Sequence, residues 1–542
     1  MRHVRTRRRW ALVAVTALAA VIVGTGSPAA DAAAPAHAKI DGSGSSWAQN
    51  AVNQWIADVY AQGLQVVFTP TGSAQGRKDY AFRNVDFAVS DIAYQGKDPL
   101  TGDIDTAGDR PYVYLPIVAG GTSFPYQIKV GGKLVRNLRL SGQTLAEIFT
   151  NQITNWNDPA ITKDNNGHAL PSLPIIPVVH SEGSGSTAQF TAYLAKIYPD
   201  IWKAYNGGHD VMTEYYPRKG SQVSQNGSDG VMNFITSSAA NGAIGFDEYS
   251  YALNADYPVA KVENSAGYFT LPNQYNVAES LTQAQLDNNP NSPTYLIEDL
   301  SKVYTYSDPR TYPLSSYSYF ILPTGTNAQD PRLTTAKRQT IVDFLYYSIC
   351  TGQRQMGPLG YSPLPVNLVQ DGFGQINKLQ TADSNVDITK RDVSTCNNPT
   401  FVAGHPDQNY LAQIAPQPLA CDKAGAGPCS ANTPEPQPTT GSGGGAGGTG
   451  GGGTGGTGGA TAAPSASSAV RIDPNTGEVI AAGPGTATGP TTVNAADLNP
   501  VPNDIGEHVD TSLLTPLLIL ELLAVLVVPV ILGRILSARK GP

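Results

Sequence analysis

Residues 173–197 read LPIIPVVHSEGSGSTAQFTAYLAKI. The apolar run over 173–179 predicts a short buried strand, and the apolar residues at 190, 193, 194 and 197 have the spacing of an amphipathic helix. The loop between them, with Ser184, Gly185 and Ser186, therefore leads into a helix N-terminus. Unpaired N–H groups and the helix dipole favour an anion there. An ordinary serine-capped helix after a turn is the alternative.

Two further glycine- and serine-rich loops precede predicted helices. One ends at Ser46 and Trp47, and the other contains Ser73. A predicted strand of alternating residues then ends on Asp91. In an open α/β sheet, ligands bind beyond the carboxyl ends of the strands, which is where such loops lie. We therefore expect these loops to meet at one site.

The chemistry of these loops favours a small oxyanion. Hydroxyl and backbone N–H donors suit a desolvated anion, whereas an ionised carboxylate such as Asp91 can only accept hydrogen bonds. Such a site prefers an oxyanion that carries a proton, such as hydrogen phosphate, and repels fully ionised sulfate.

Composition and charge limit the remaining classes of function. The chain has 542 residues, 14% of them charged, and a formal net charge of −8, which does not suit a nucleic-acid-binding protein. The four cysteines and seven histidines show no zinc-like spacing. Strands that alternate with helices predict an α/β architecture with mainly parallel sheets.

The two ends of the chain predict export and membrane anchoring. Residues 1–34 have the charged, apolar and small-residue regions of a signal peptide, with an uncleaved N-terminal anchor as the alternative. A solute-binding body over 35–430 is followed by a Gly/Ser/Thr/Pro-rich linker over 431–510. Residues 511–536 are long and apolar enough for a transmembrane helix. The basic tail, 537–542, places the C-terminus in the cytoplasm and the body outside the cell.

All four cysteines fall in the part predicted to be exported. Four cysteines allow three pairings, and proximity along the chain favours Cys350–Cys396 and Cys421–Cys429. A thiol catalyst or a metal site is the alternative.

Five motifs, in this order, carry a family resemblance: GSGSSWAQNAVNQW, TGSAQGRK, VDFAVSD, EGSGSTAQFTAYL and NGAIGFDEYSYA. They resemble the substrate-binding proteins of phosphate ABC importers. The resemblance implies a type II periplasmic-binding-protein-like fold, in which two hinged α/β domains enclose the ligand between them. One lobe would comprise about 40–119 and 312–420, and the other about 120–311. It further implies phosphate binding without catalysis or a cofactor, and delivery to an importer permease.

Carried over by motif, the ligand contacts would be Ser46, Trp47, Ser73, Asp91, His180, Ser184, Gly185 and Ser186. His180 departs from the family, which typically has an arginine there. An arginine offers a permanent charge and a bidentate fork, which a histidine does not. Either the affinity is lower and pH-sensitive, or Arg77 or Lys78 substitutes, or the ligand has changed. We expect Glu182 to orient the loop rather than to contact an anion.

Two other functions stay open at this point. A surface adhesin or sensor could use the same scaffold after losing or changing its anion, because one fold hosts many functions. A hydrolase using Ser184 or Ser186 with His180 is disfavoured, because the loop lacks the Gly-x-Ser-x-Gly elbow and the usual triad order.

Overall fold

The computed structural model describes residues 37–97, 102–389 and 391–438, and the backbone of two short strands further along the chain. The strands are β1 (Ile40–Gly44), β2 (Val66–Thr69), β3 (Phe87–Ser90), β4 (Gly96–Lys97), β5 (Ile104–Asp105), β6 (Tyr112–Ser123), β7 (Lys129–Val130), β8 (Lys133–Leu134), β9 (Arg139–Leu140), β10 (Ile176–His180), β11 (Val223–Gln225), β12 (Ala243–Gly245), β13 (Asp247–Glu248), β14 (Lys261–Glu263), β15 (Phe269–Thr270), β16 (Gln285–Leu286), β17 (Glu298–Asp299), β18 (Ser315–Pro323), β19 (Arg471–Ile472) and β20 (Val479–Ile480).

Helices alternate with these strands along most of the chain. They are α1 (Gln49–Tyr60), α2 (Ser73–Ala81), α3 (Gly142–Phe149), α4 (Pro159–Asp164), α5 (Gly185–Ile197), α6 (Pro199–Tyr205), α7 (Gly227–Thr236), α8 (Tyr249–Asn254), α9 (Gln274–Leu281), α10 (Thr335–Ile349), α11 (Met356–Leu359), α12 (Val366–Ile376), α13 (Lys378–Ala382) and α14 (Tyr410–Gln413).

The first lobe is built on a six-stranded sheet with the order β13-β6-β18-β3-β1-β2. The β1–β2 and β1–β3 pairs are parallel, and the chain returns through α1 and α2 between them. The other three pairs are antiparallel, so the prediction of mainly parallel sheets is wrong for this lobe. The physical reason is that β6 leaves the lobe and β18 re-enters it, so these two long strands run in opposite directions side by side.

The second lobe contains a three-stranded sheet with the order β11-β10-β12, and both of its strand pairs are parallel. The central strand β10 ends at His180, and α5 begins five residues later at Gly185. The strand–loop–helix unit predicted over 173–197 is therefore confirmed. The α/β fold class is confirmed as well, whereas the exact lobe boundaries stay a prediction.

The segments that join the two lobes are strands of the first sheet. β6 passes without interruption through Gly120 and Gly121. Every residue of β18 pairs with β6, from Ser315 opposite Gly121 to Pro323 opposite Tyr112. A Cβ on Gly120 would lie 2.6 Å from the Trp47 ring, so only glycine allows this close approach. β13, which follows the second sheet, pairs with the far end of β6 and carries the chain back to the junction.

Aromatic side chains fill the core in both lobes. In the first lobe the Phe87 and Phe320 rings stack with their centroids 4.4 Å apart. In the second lobe Phe190 packs against Phe149 at 5.1 Å and against Phe246 at 5.0 Å. These rings are buried and fix the strands that lead to the cleft.

Two disulfides cross-link the C-terminal part of the described residues. Both favoured pairings are confirmed, Cys350–Cys396 and Cys421–Cys429. Further along the chain, β19 and β20 form an antiparallel pair. The predicted signal peptide, most of the predicted linker, the predicted transmembrane helix and the tail lie outside the described residues. Within the part of the chain that the structure describes, no helix has the length and apolar character needed to cross a membrane.

Candidate anion-binding site

The carboxylate of Asp91 is held by three hydroxyl groups from three separate segments. Ser45 donates to both carboxylate oxygens at 2.9 and 2.7 Å, Ser73 donates to Oδ2 at 3.0 Å, and Ser318 donates to Oδ1 at 2.7 Å. The side chain of Gln189 donates to the Asp91 carbonyl at 2.9 Å. Burial raises the pKa of Asp91, although the three hydroxyl groups oppose this shift. The carboxylate is thus fixed in place by neutral donors.

The N-terminus of α5 lies directly against this carboxylate. A Cβ on Gly185 would lie 1.9 Å from Asp91 Oδ2, so the helix approaches as closely as it does only because residue 185 is glycine. Ser184 caps the helix by accepting from the Thr187 N–H at 3.4 Å. The hydroxyl groups of Ser186 and Thr187 are buried and make no hydrogen bond to any residue that the structure describes. Two unused donors therefore lie in the first turn of a helix, where an anion is favoured.

Ser46 bridges the two lobes. Its hydroxyl lies 3.0 Å from the hydroxyl of Ser228, and it accepts from the Ser228 N–H at 3.1 Å. The neighbouring Trp47 is a core residue, with its ring 5.7 Å from that of Tyr361 and its indole N–H without a partner among the described residues. Trp47 thus packs at the junction of the lobes, and a contact between it and a ligand stays a prediction.

His180 is buried, and protein atoms engage both of its ring nitrogens. Nδ1 lies 2.8 Å from the Glu182 carboxylate and Nε2 lies 3.2 Å from the Phe246 carbonyl. Burial alone would lower the pKa of His180, but the hydrogen bond and charge of Glu182 outweigh it and raise the pKa. Both partners are acceptors, and the imidazolium form of the ring can donate to both of them at once.

Glu182 orients the loop, as expected. Burial would raise its pKa, but its bond to His180 and the charge of that ring lower it. Its second oxygen accepts from the Gly227 N–H at 3.0 Å, at the start of α7. The His180–Glu182 pair therefore joins the end of β10 to the N-terminus of α7.

Arg77, one of the two cations that one of the three alternatives put in place of the family arginine, is engaged elsewhere. Its guanidinium is fully buried and donates to Asp105, to Ser90 and to both carboxylate oxygens of Glu214 at 2.8 Å. Lys78 is exposed. The Arg77–Glu214 pair instead connects α2 of the first lobe to the segment before β11 in the second lobe.

The structure places the predicted residues in three groups near the contact between the lobes, and their role as ligand contacts stays a prediction. Ser73, Asp91 and Gly185 lie together, and Ser184 and Ser186 belong to the same helix start. Ser46 lies on the inter-lobe contact, and His180 lies behind it in an ion pair. Sequence reasoning missed Ser45, Ser318 and Ser228. The alternation of serine and aromatic residues over 315–320 is a signal that could have revealed Ser318.

Two lobes built on separate sheets, with serine-rich helix starts and a buried carboxylate between them, define the class of two-lobed α/β binding proteins. Comparison with known families agrees. The chain belongs to the PBP superfamily, whose domain matches residues 29–351.

Relatives of the chain carry names that agree with the expected resemblance. It is 29% identical over 334 residues to the phosphate-binding protein PstS of Xylella fastidiosa, covering 61% of this chain and 83% of that protein. It is 30% identical over 342 residues to the phosphate-binding protein PstS3 of Mycobacterium bovis, covering 60% of this chain and 82% of that protein. A solved structure of a high-affinity periplasmic phosphate-binding protein with bound phosphate is also similar, at 17% identity and a TM-score of 0.48, over 64% of this chain and 99% of that one.

Proposed function

We propose that this protein is an extracellular binding protein for inorganic phosphate and delivers it to an ABC importer. Relatives named as phosphate-binding proteins support this proposal. The observation that carries it is the first turn of α5, where the buried hydroxyls of Ser186 and Thr187 have no partner among the described residues and the neighbouring Gly185 lies against the Asp91 carboxylate.

The arrangement favours an oxyanion that carries a proton. The first-turn N–H groups and the hydroxyls of Ser186 and Thr187 supply donors to the oxyanion. Asp91 is an acceptor, so a ligand hydroxyl satisfies it and a fully ionised oxyanion is repelled. Phosphate at neutral pH offers such a hydroxyl and sulfate does not. Binding of this kind involves no bond-making, so the proposal is a carrier rather than an enzyme.

Isothermal titration of the purified full chain with phosphate and with sulfate tests the proposal. We expect saturable binding of phosphate and at least tenfold weaker binding of sulfate. Ser186→Ala should weaken phosphate binding by roughly tenfold, the value of one hydrogen bond to an anion.

Ser348→Ala is the matched control. This buried helix serine donates to the Phe344 carbonyl at 2.7 Å, in α10 of the first lobe. It should leave phosphate affinity unchanged. Equal effects of the two substitutions would remove Ser186 from the site, and the absence of phosphate binding by the unsubstituted chain would contradict the proposal.

The second candidate is a surface adhesin or sensor that has lost or changed its anion. The ion pairs of His180 and Arg77 favour it, because both cations are neutralised by the protein itself. A chain that binds neither phosphate nor any other small oxyanion, yet melts as a folded protein, would support this candidate.

Tethering to the membrane is a further part of the proposal. The apolar helix predicted over 511–536 would hold the exported body at the cell surface through the linker. Fractionation of cells that express the full chain and a version truncated after residue 510 tests this part. We expect the full chain in the membrane fraction and the truncated chain in the medium.

A further inference from the structure

Asp247 is a buried carboxyl group that the proposed function does not use. Its side chain is 0% exposed. Oδ1 accepts from the Glu248 N–H at 2.8 Å, whereas Oδ2 makes no hydrogen bond to any residue within the described ranges. A buried carboxylate oxygen without a partner is costly, so such a group usually has a ligand, a proton or a function to compensate it.

The groups around Asp247 have opposing effects on its charge. Burial raises its pKa to about 7, while the charge of His180 favours the ionised form and that of Glu182 disfavours it. Glu248 is the next residue of β13, and its own pKa is raised by burial. Tyr251 of α8 faces the same region, and its pKa is raised as well. Asp247 therefore changes charge within the physiological pH range.

Ser228 connects Asp247 to the cleft. Ser228 lies in the first turn of α7, which packs against β13, and its hydroxyl favours the charged form of Asp247. The same hydroxyl lies 3.0 Å from the Ser46 hydroxyl, which also accepts from the Ser228 N–H. Ser228 has one hydroxyl hydrogen, so it can donate either to Asp247 or to Ser46 but not to both.

We propose that the charge of Asp247 controls how tightly the site binds its oxyanion, and that it acts through Ser228 on the hydroxyl of Ser46. The inference rests on the proposed function, because it assigns Asp247 as a positioning residue of the same anion site.

The two charge states of Asp247 give Ser46 different roles. When Asp247 is neutral, Ser228 donates to Ser46, and the Ser46 hydroxyl hydrogen is available to the anion. When Asp247 is ionised, it attracts the Ser228 hydrogen, Ser46 donates to Ser228, and the anion loses a donor. The ionised carboxylate also repels the anion directly. Anion binding therefore favours the neutral form and draws a proton from solvent at pH values above the pKa of Asp247.

Titration calorimetry of the full chain with phosphate, in buffers of different ionisation enthalpy, measures this proton uptake. At pH 7.5 the wild type should take up about 0.8 more protons per phosphate than Asp247→Asn, since a group that titrates near pH 7 is mostly ionised there. Between pH 6 and pH 8.5, its affinity should fall about 30-fold more than that of Asp247→Asn. Titration of phosphate itself affects both proteins equally and cancels in this comparison.

Asp407→Asn, which removes one exposed carboxylate, is the control and should behave as the wild type. Equal proton uptake and equal pH dependence in Asp247→Asn and wild type would overturn the inference. That result would not contradict the proposal that the protein binds phosphate. Failure of the wild type to bind phosphate at any pH would overturn both. If Asp247→Asn does not fold, Ser228→Ala serves as the test. It removes the hydroxyl that links Asp247 to Ser46 and keeps the Asp247 carboxyl group. A wild-type pH dependence in Ser228→Ala would also overturn the inference.

Discussion

The two lobes each place a carboxylate beyond the end of a central strand, but they compensate its charge differently. In the first lobe Asp91 follows β3, and only neutral hydroxyl groups hold its carboxylate. In the second lobe Glu182 follows β10, and the His180 imidazolium pairs with it at 2.8 Å. The first carboxylate keeps its acceptor strength, whereas the second is neutralised within its own loop.

This difference assigns separate tasks to the lobes. Under the proposed function, an acceptor held by neutral donors discriminates among anions by their protons, so we expect the choice of ligand to depend mainly on the first lobe. A neutralised loop would let the N-terminus of α5 approach an anion without repulsion, so we expect the second lobe to supply donors and rigidity. Substitutions in the two lobes should accordingly change different measured quantities.

Asp91→Asn gives the largest expected effect. The substitution removes the acceptor for the ligand hydroxyl and leaves three serine hydroxyls facing an amide. We expect phosphate affinity to fall about 100-fold, as for a lost charge-assisted hydrogen bond, and the discrimination against sulfate to relax. Competition calorimetry with the two anions measures both.

Asp86 provides the matched control for Asp91. It lies just before β3, is equally buried, and pairs with Arg332 and Lys337 away from the cleft. Asp86→Asn should lower the melting temperature without changing the ratio of phosphate to sulfate affinity. An unchanged ratio in Asp91→Asn would remove Asp91 from ligand selection.

Gly185→Ala tests how closely the lobes must approach. The new Cβ would lie 1.9 Å from Asp91 Oδ2 and 2.6 Å from Asp91 Cβ, so the helix start and the carboxylate must separate. We expect phosphate binding to weaken by about 30-fold, which corresponds to roughly 2 kcal/mol. Gly374→Ala in α12 is the control, because its Cβ would have no atom within 4 Å, and it should stabilise the protein by about 0.5–1 kcal/mol. Normal affinity in Gly185→Ala would mean that the cleft tolerates a wider separation.

Glu182→Gln tests the compensated carboxylate and should affect stability more than selectivity. The raised pKa of His180 contributes stability that is present below about pH 6.5. This stability is lost as the pH rises through the pKa that His180 has in the folded protein. The lowered pKa of Glu182 contributes stability that is lost as the pH falls through its folded value. We expect the free energy of unfolding of Glu182→Gln to be lower than that of the wild type by about 1–3 kcal/mol at pH 5.5, and the difference to be smaller at high pH. Thermal melting measures both.

Glu147→Gln, on the surface of α3, is the control for this pair and should show no such pH dependence. A loss of stability in Glu182→Gln that is equal at pH 5.5 and pH 9 would contradict a charged His180.

Local patterns predicted the parts of the site that are continuous in sequence. The strand before His180 and the helix after Gly185 follow from hydrophobic spacing within one stretch of chain, and the Ser184 cap is the feature that the alternative of a serine-capped helix expected. The resemblance placed Ser73 and Asp91 beside them, and the structure agrees.

The partners of these residues could not be predicted in the same way. Ser318 reaches Asp91 from a strand 227 residues away, and only sheet order brings the two together. Arg77 looked like a candidate ligand cation because its charge is visible in sequence, but its partners Asp105 and Glu214 become neighbours only in the folded chain. The antiparallel β6 and β18 were missed because strand direction depends on where the chain crosses between lobes.

Glu214→Gln gives the smallest expected effect and tests the contact between the two lobes. The Arg77 guanidinium holds Asp105 in its own lobe and Glu214 in the other. Glu214→Gln should loosen the contact between the lobes and leave the first lobe intact, so phosphate affinity should fall about 3- to 10-fold, mainly through faster release in stopped-flow displacement. Asp105→Asn removes the partner within the lobe and should lower thermal stability with little change in release rate. Equal release rates in the two variants would mean that Arg77 only stabilises its own lobe and does not hold the lobes together.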